Sequence, residues 1–262
     1  MNILGGQGFL ILLALFFALA AGLVGCFALM KRMVLASDVI SHLALPGLGI
    51  AFLLKINPLI GGATTLFLGT LLVWRLQKKT GLATDAAIGV VFAAGLAIGA
   101  AVTPREDLIE ALFGELQQVS LLGFLLGFAA TLFVVLSVFL LKDGLALSVF
   151  SPDLAAATGV KVGRVDLYFL LLFSLTILVG LRFMGTLLAS ALIILPAATA
   201  RHLTDELSHF LFVSSAVSIV SVIAGFVLNI FVLRLSTVGP TIVIFSALFF
   251  GLSLVRQRDT GQ

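Results

Sequence analysis

Charge is scarce in this chain. Of 262 residues, 10% are Asp, Glu, Lys or Arg, while 61% are hydrophobic and the mean hydropathy is +1.27. A soluble domain cannot hide that much apolar surface, so the composition excludes one. It requires an all-α polytopic membrane protein, with a single core of packed helices over 1–262 and the lipid bilayer as its first partner. Cysteine is nearly absent too. The lone Cys26 excludes an intrachain disulfide and a multi-cysteine metal site. No G-x-x-x-x-G-K-[ST] loop is present, so the chain does not bind ATP by that route. H-E-x-x-H, G-x-S-x-G and H-x-E with paired cysteines are missing as well, which leaves an intramembrane enzyme without a nucleophile or catalytic metal. The net charge of +3 is too small to suggest nucleic acid.

What is present is a series of apolar runs, at about 8–30, 38–54, 57–74, 84–102, 119–141, 166–181, 183–200, 208–233 and 238–255. Arg182 divides the sixth from the seventh, and both are short, so they read as two spans or as one crossing with a short returning segment. Eight or nine transmembrane helices are therefore expected. No Lys or Arg precedes the first run, which is too long for a signal-peptide core, so 8–30 is read as a span and not as a cleaved leader. With the N-terminus outside and nine runs alternating, eleven basic residues fall on the cytoplasmic side: Lys31, Arg32, Arg75, Lys78, Lys79, Lys142, Lys161, Arg164, Arg201, Arg256 and Arg258. Only Lys55, Arg105, Arg182 and Arg234 fall outside. That excess sets the orientation, with the C-terminus cytoplasmic.

The chain is organised around Ser37–Gly49, SDVISHLALPGLG. Asp38 and His42 are four residues apart, one helical turn, so their side chains share a face. Pro46 cannot donate to the His42 carbonyl and crowds it, so with Gly47 it is expected to kink the helix and leave that carbonyl free. An acid, an imidazole and a loosened carbonyl suit a divalent cation such as zinc or manganese. The alternative is an imidazole that only hydrogen-bonds a neighbouring helix. Of the remaining carboxylates only Asp85 falls near mid-membrane, which is thin for a gradient-driven carrier.

Residues 104–118 form an acidic, amphipathic outer loop. The longest cytoplasmic connection is 142–165. In it Pro152, after Ser151, fits the first turn of a short helix that Gly159 ends. That helix is either an ordinary surface turn or, with Ala155, Ala156 and Ala157, a docking element. Arg201 closes a second segment in which Pro196 is expected to break the helix. Its role is a positive-inside anchor or a second docking element. The Gly95-xxx-Gly99 and Gly123-xxx-Gly127 pairs favour close helix packing.

At these residues the sequence resembles the membrane permeases of metal-importing ABC transporters, the zinc and manganese uptake systems of bacteria. The likeness lies in Asp38, Ser41, His42, Pro46 and Gly47; in Thr84–Gly89; in Leu112–Gly114; in Ser151–Ala155 with Gly159 and Val160; in Gly185–Arg201; and in Gly239–Thr241. The resemblance implies a type II ABC importer, with a vitamin B12 permease-like fold, in the bacterial inner membrane. Two permease copies would pair around the path, with a cytoplasmic ATP-binding subunit below and an extracytoplasmic metal-binding protein above. The chain itself would be no enzyme and would hold no cofactor stably. Segments 142–165 and 196–207 would meet the ATPase through Pro152, Asp153, Ala155, Gly159, Pro196 and Arg201. Asp38 and His42 match the family's polar pair, and two copies would supply two of each as a weak transit site. Ser151–Arg201 resembles the zinc members most, Ser41 and Pro46-Gly47 the manganese members, and on balance the resemblance favours zinc over manganese or iron.

Overall fold

The computed structural model describes residues 3–33, 36–102, 121–233 and 238–259. The 104–118 loop, Leu112–Gly114, Arg105 and Arg234 lie outside the described residues, as do the side chains of Arg182, Arg256 and Arg258.

Among the described residues every regular element is helical. The elements are α1 (Ile3–Met30), α2 (Ala36–Ser41), a 3-10 turn (His42–Ala44), α3 (Leu45–Leu54), α4 (Pro58–Thr80), α5 (Thr84–Val102), α6 (Leu121–Phe150) and α7 (Pro152–Ala157). They continue with α8 (Val162–Met184), α9 (Thr186–Leu203), α10 (Leu207–Leu228) with a π-helical turn (Asn229–Leu233), and α11 (Gly239–Asp259). Helices satisfy every backbone group within the segment, which is what a hydrocarbon surrounding demands. Five are long and apolar enough to cross a membrane: Gly8–Met30, Leu59–Thr80, Leu121–Phe150, Val162–Leu181 and Leu207–Phe231. Four shorter apolar helices accompany them: Ala36–Ala51, Thr84–Gly99, Leu188–Leu203 and Gly239–Val255.

α1 is the hub. It is apolar on all sides, and from Leu13 to Ala28 most of it is buried against α6, α8, α9 and α10. Two glycines let its neighbours come close. A Cβ on Gly25 would collide with the Ile193 carbonyl of α9, and one on Gly22 would lie 2.9 Å from the Ser215 backbone of α10. Ser214 on α10 then donates its hydroxyl to the Gly22 carbonyl at 2.8 Å. Without water to drive apolar surfaces together, such small-residue contacts and hydroxyl bonds are what hold lipid-embedded helices.

The ends are set by local chemistry. Asn57 caps α4 by accepting the Leu59 amide at 3.0 Å, with Pro58 at the start of the helix, and Gly81 (φ 69°) closes it. α7 ends at Gly159, whose φ is 85°, with Val160 and Gly159 donating to the carbonyls of Ala155 and Ala156. This is a Schellman end with glycine where a left-handed residue is needed. α1 ends in the same pattern, but with Arg32 at φ 58° in the left-handed position.

Three expectations change. The connection 142–165 is not a loop throughout: α6 runs on to Phe150, because Leu145 and Ser148 continue its buried face. Pro196 does not break α9, which continues to Leu203. A proline removes one donor, but the residues around it, Ile193, Ala197 and Ala200, are fully buried and packing holds the helix. Finally, the break between the sixth and seventh runs falls at Gly185 (φ 82°), not at Arg182. A single arginine does not stop a helix, whereas a left-handed residue does.

Candidate functional site

Asp38 lies on α2, and His42 opens the 3-10 turn that follows. The sequence spacing carries through: Asp38 Oδ1 and His42 Nε2 are 3.9 Å apart. That is too long for a hydrogen bond. It is a span that one cation, bonded to each atom at about 2.0–2.2 Å, can bridge. The Asp38 side chain is 51% exposed, while that of His42 is 21% exposed and rests on the Phe92 ring, with centroids 6.0 Å apart. His42 Nδ1 is buried and has no hydrogen-bond partner. Among the described residues, none fixes the imidazole tautomer through the far nitrogen, as a carboxylate or carbonyl usually does for a ligating histidine.

The His42 carbonyl is not left free, contrary to expectation. Pro46 removes the donor that an α-helix would use, and the chain tightens to 3-10 so that the Leu45 amide closes on the His42 carbonyl instead. The site is thus a side-chain pair on a rigid turn. Ser41 stiffens it further, donating its hydroxyl to the Asp38 carbonyl at 2.6 Å.

Glycines on two neighbouring helices make room for this turn. On α5, Gly95 lies under Leu43 and Gly99 under Pro46, so the Gly95/Gly99 stripe has a specific partner, the proline turn itself. On α4, Gly69 accepts Leu43, and Gly61 meets Gly47 so closely that a Cβ on either would strike the other's carbonyl oxygen. Gly61, Gly69 and Phe92 were not singled out from the sequence. The signal for the first two was there, in the small-residue stripe Gly61-xxx-Thr65-xxx-Gly69. Phe92 carried none.

The other candidates sit elsewhere. Asp85 is exposed in the first turn of α5, at a helix end and not at mid-span. Pro152 and Asp153 are exposed on α7, and Ala155 is that helix's buried contact. Pro196 is buried within α9, and Arg201 is exposed in its last turn. Pro152 of α7 lines the same cavity as Lys31 and Lys78. Of the other histidines, His209 is exposed and 2.8 Å from Glu206, and His202 packs its ring edge-on against Phe250. Among the described residues no group of three or more His, Cys, Asp or Glu is found. Among the described residues, the turn therefore offers a cation two side-chain ligands.

Comparison with known proteins bears out the family resemblance of the sequence. The model of the ABC 3 transport family matches residues 9–257. The manganese import system permease protein ScaB of Streptococcus gordonii is 32% identical over 248 residues, 92% of this chain and 87% of that protein. The high-affinity zinc uptake system membrane protein ZnuB of Haemophilus influenzae is 29% identical over 258 residues, 93% of this chain and 98% of that protein. Among solved structures, PsaBC from Streptococcus pneumoniae in complex with Fab has a chain with a TM-score of 0.78 and 27% identity, covering 94% of this chain and 90% of that one.

Proposed function

This chain belongs to the ABC 3 transport family, and we propose that it is the membrane permease of an importer that carries a divalent metal ion into the cytoplasm. The ion is zinc in this reading, supported by the likeness of Ser151–Arg201 to the zinc members. Manganese is the second reading, favoured by the greater identity to the manganese permease, 32% against 29%. Energy comes from ATP hydrolysed by a partner subunit, an outer metal-binding protein delivers the ion, and a second copy of the chain completes the path.

The observation that carries the reading is the facing of Asp38 Oδ1 and His42 Nε2 across 3.9 Å on a turn locked by Pro46. A carboxylate oxygen with a neutral imidazole is a donor set that zinc and manganese both accept. Two copies related by a two-fold axis bring two such pairs together, enough for a four-coordinate ion. Two ligands per chain, one of them half exposed, hold an ion briefly, as conduction requires. In this reading nine crossings of the 1–262 permease domain put the N-terminus outside and the C-terminus in the cytoplasm. In that orientation α7 and the end of α9 face the ATPase, so that segments 142–165 and 196–207 transmit its closure.

Reconstitution tests the reading. In liposomes the chain with its ATP-hydrolysing partner accumulates zinc only while ATP is split, and the chain alone accumulates none. Accumulation by the chain alone down an ion gradient would mean a secondary carrier instead.

A further inference from the structure

A cavity of about 620 Å³ lies at one end of the bundle. It is enclosed by the last residues of α1, the last two turns of α4, the start of α5, the end of α6 and the first turns of α7 and α8. Its lining holds three cations, Lys31, Arg32 and Lys78, against one carboxylate, Asp166. That carboxylate is already engaged, 2.6 Å from the Lys31 ammonium. Lys78 lies over the Trp74 ring at 5.1 Å, and the Trp74 indole donates to the Gly163 carbonyl at 2.8 Å. The cavity therefore has surplus positive charge held by fixed aromatic and backbone contacts.

Arg32 adds an independent observation. It occupies the left-handed end of α1, with φ 58°, where glycine or asparagine is the inexpensive choice. A strained backbone kept at a cavity rim calls for a role for its side chain. The flanks point to what would fill the cavity. Phe150 (75% exposed) and Tyr168, each next in sequence to a lining residue, present bare apolar surface at the same end of their helices. An anionic head in the cavity with hydrocarbon along those residues satisfies both. Basic pockets between spanning helices, edged by an interfacial tryptophan, have the chemistry that anionic lipid headgroups seek.

We infer that this cavity is a binding site for the phosphodiester head of an anionic membrane lipid, held by Arg32 and Lys78 and seated behind α7. Neither the metal path nor the choice of metal enters the inference. Because the lining includes Pro152, which opens α7, and Val162 and Gly163, which follow it, an occupied cavity also braces that short helix against the bundle.

The test uses the purified full chain, with phosphatidylglycerol as the anionic probe and phosphatidylcholine and inorganic phosphate as comparisons. The readouts are lipid retained in native mass spectrometry and the thermal unfolding midpoint. Arg32→Gly removes the guanidinium while suiting the left-handed backbone, so its fold is preserved. Lys78→Gln removes the second charge from an exposed position, and Lys79→Gln, outside the lining, is the control. Phosphatidylglycerol is expected to be retained over phosphatidylcholine and to raise the midpoint. Retention should drop about fivefold for each lining cation removed, the worth of one basic residue near an anionic leaflet. Lys79→Gln should behave as wild type. Equal retention in the double variant and wild type, or an equal loss in Lys79→Gln, would overturn the site. Inorganic phosphate raising the midpoint as far as the lipid would overturn the lipid assignment, as would loss of the bound lipid when the ATPase partner docks.

Discussion

Gly47 and Gly61 face each other with no room for a side chain on either: the Cβ of one would occupy the carbonyl oxygen of the other. This contact joins α3 to α4 one residue after Pro46, so it fixes where the Asp38–His42 turn sits. Gly47→Ala or Gly61→Ala should force the two helices apart at a cost of ~1–3 kcal/mol, the usual penalty of overpacking. Thermal unfolding in detergent checks this, with Gly251→Ala, which meets nothing within 4 Å, as the neutral control. The two substitutions should not add, because the first already separates the helices.

The Lys31–Asp166 pair should respond asymmetrically. Lys31 is 13% exposed and Asp166 39%. Asp166→Asn strands a largely buried ammonium, whereas Lys31→Met leaves a carboxylate that water can reach. Asp166→Asn should therefore destabilise more, by roughly 1–3 kcal/mol, and Lys31→Met combined with it should recover much of the loss. A double-mutant cycle on the unfolding midpoint measures this.

Inside the bundle, Thr70 on α4 and Ser174 on α8 share a hydrogen bond of 2.6 Å, and both side chains are fully buried. Each hydroxyl has its own supporting surroundings, so the loss should be modest. Thr70→Val and Ser174→Ala should each cost about 0.5–1.5 kcal/mol, with coupling between them near 0.6 kcal/mol. Coupling indistinguishable from zero would mean the two hydroxyls do not depend on each other.

Orientation is open to a labelling experiment that the sequence makes clean. Cys26 is the only cysteine and is buried, with its thiol directed to the Phe210 carbonyl at 3.6 Å. It should resist maleimide until the protein unfolds. With Cys26 replaced by serine, Lys55→Cys should react with an impermeant maleimide in intact cells, and Lys161→Cys should react only after lysis. The opposite pattern would invert the topology.

The helices were legible because hydrophobic runs and their breaks are written in composition, and lipid permits little else. Asp38 and His42 were legible because polar residues are conspicuous in an apolar run, and four-residue spacing survives the change from α to 3-10. The fate of the His42 carbonyl was not, since a proline says which donor is missing but not which amide replaces it. Gly185 was missed because an arginine is the more visible interruption, while the left-handed backbone that turns the chain leaves only a glycine among 26. Pro196 misled for the opposite reason: its neighbours are buried all round, and tertiary packing outweighs the lost bond. The basic cavity draws Lys31, Arg32, Lys78 and Asp166 from three distant helix ends, and no local pattern announces that.

The most direct test of the metal path is metal uptake by the complete transporter carrying Asp38→Asn or His42→Gln, with its binding protein and ATPase present. These changes keep shape and remove a ligand. Zinc and manganese uptake should each fall by about tenfold or more, since loss of even an outer-shell partner of a metal costs 10–100-fold. ATP hydrolysis stimulated by the loaded binding protein should persist, separating a blocked path from a broken assembly. Uptake at the wild-type rate in both variants would contradict the assignment of Asp38 and His42 to the path.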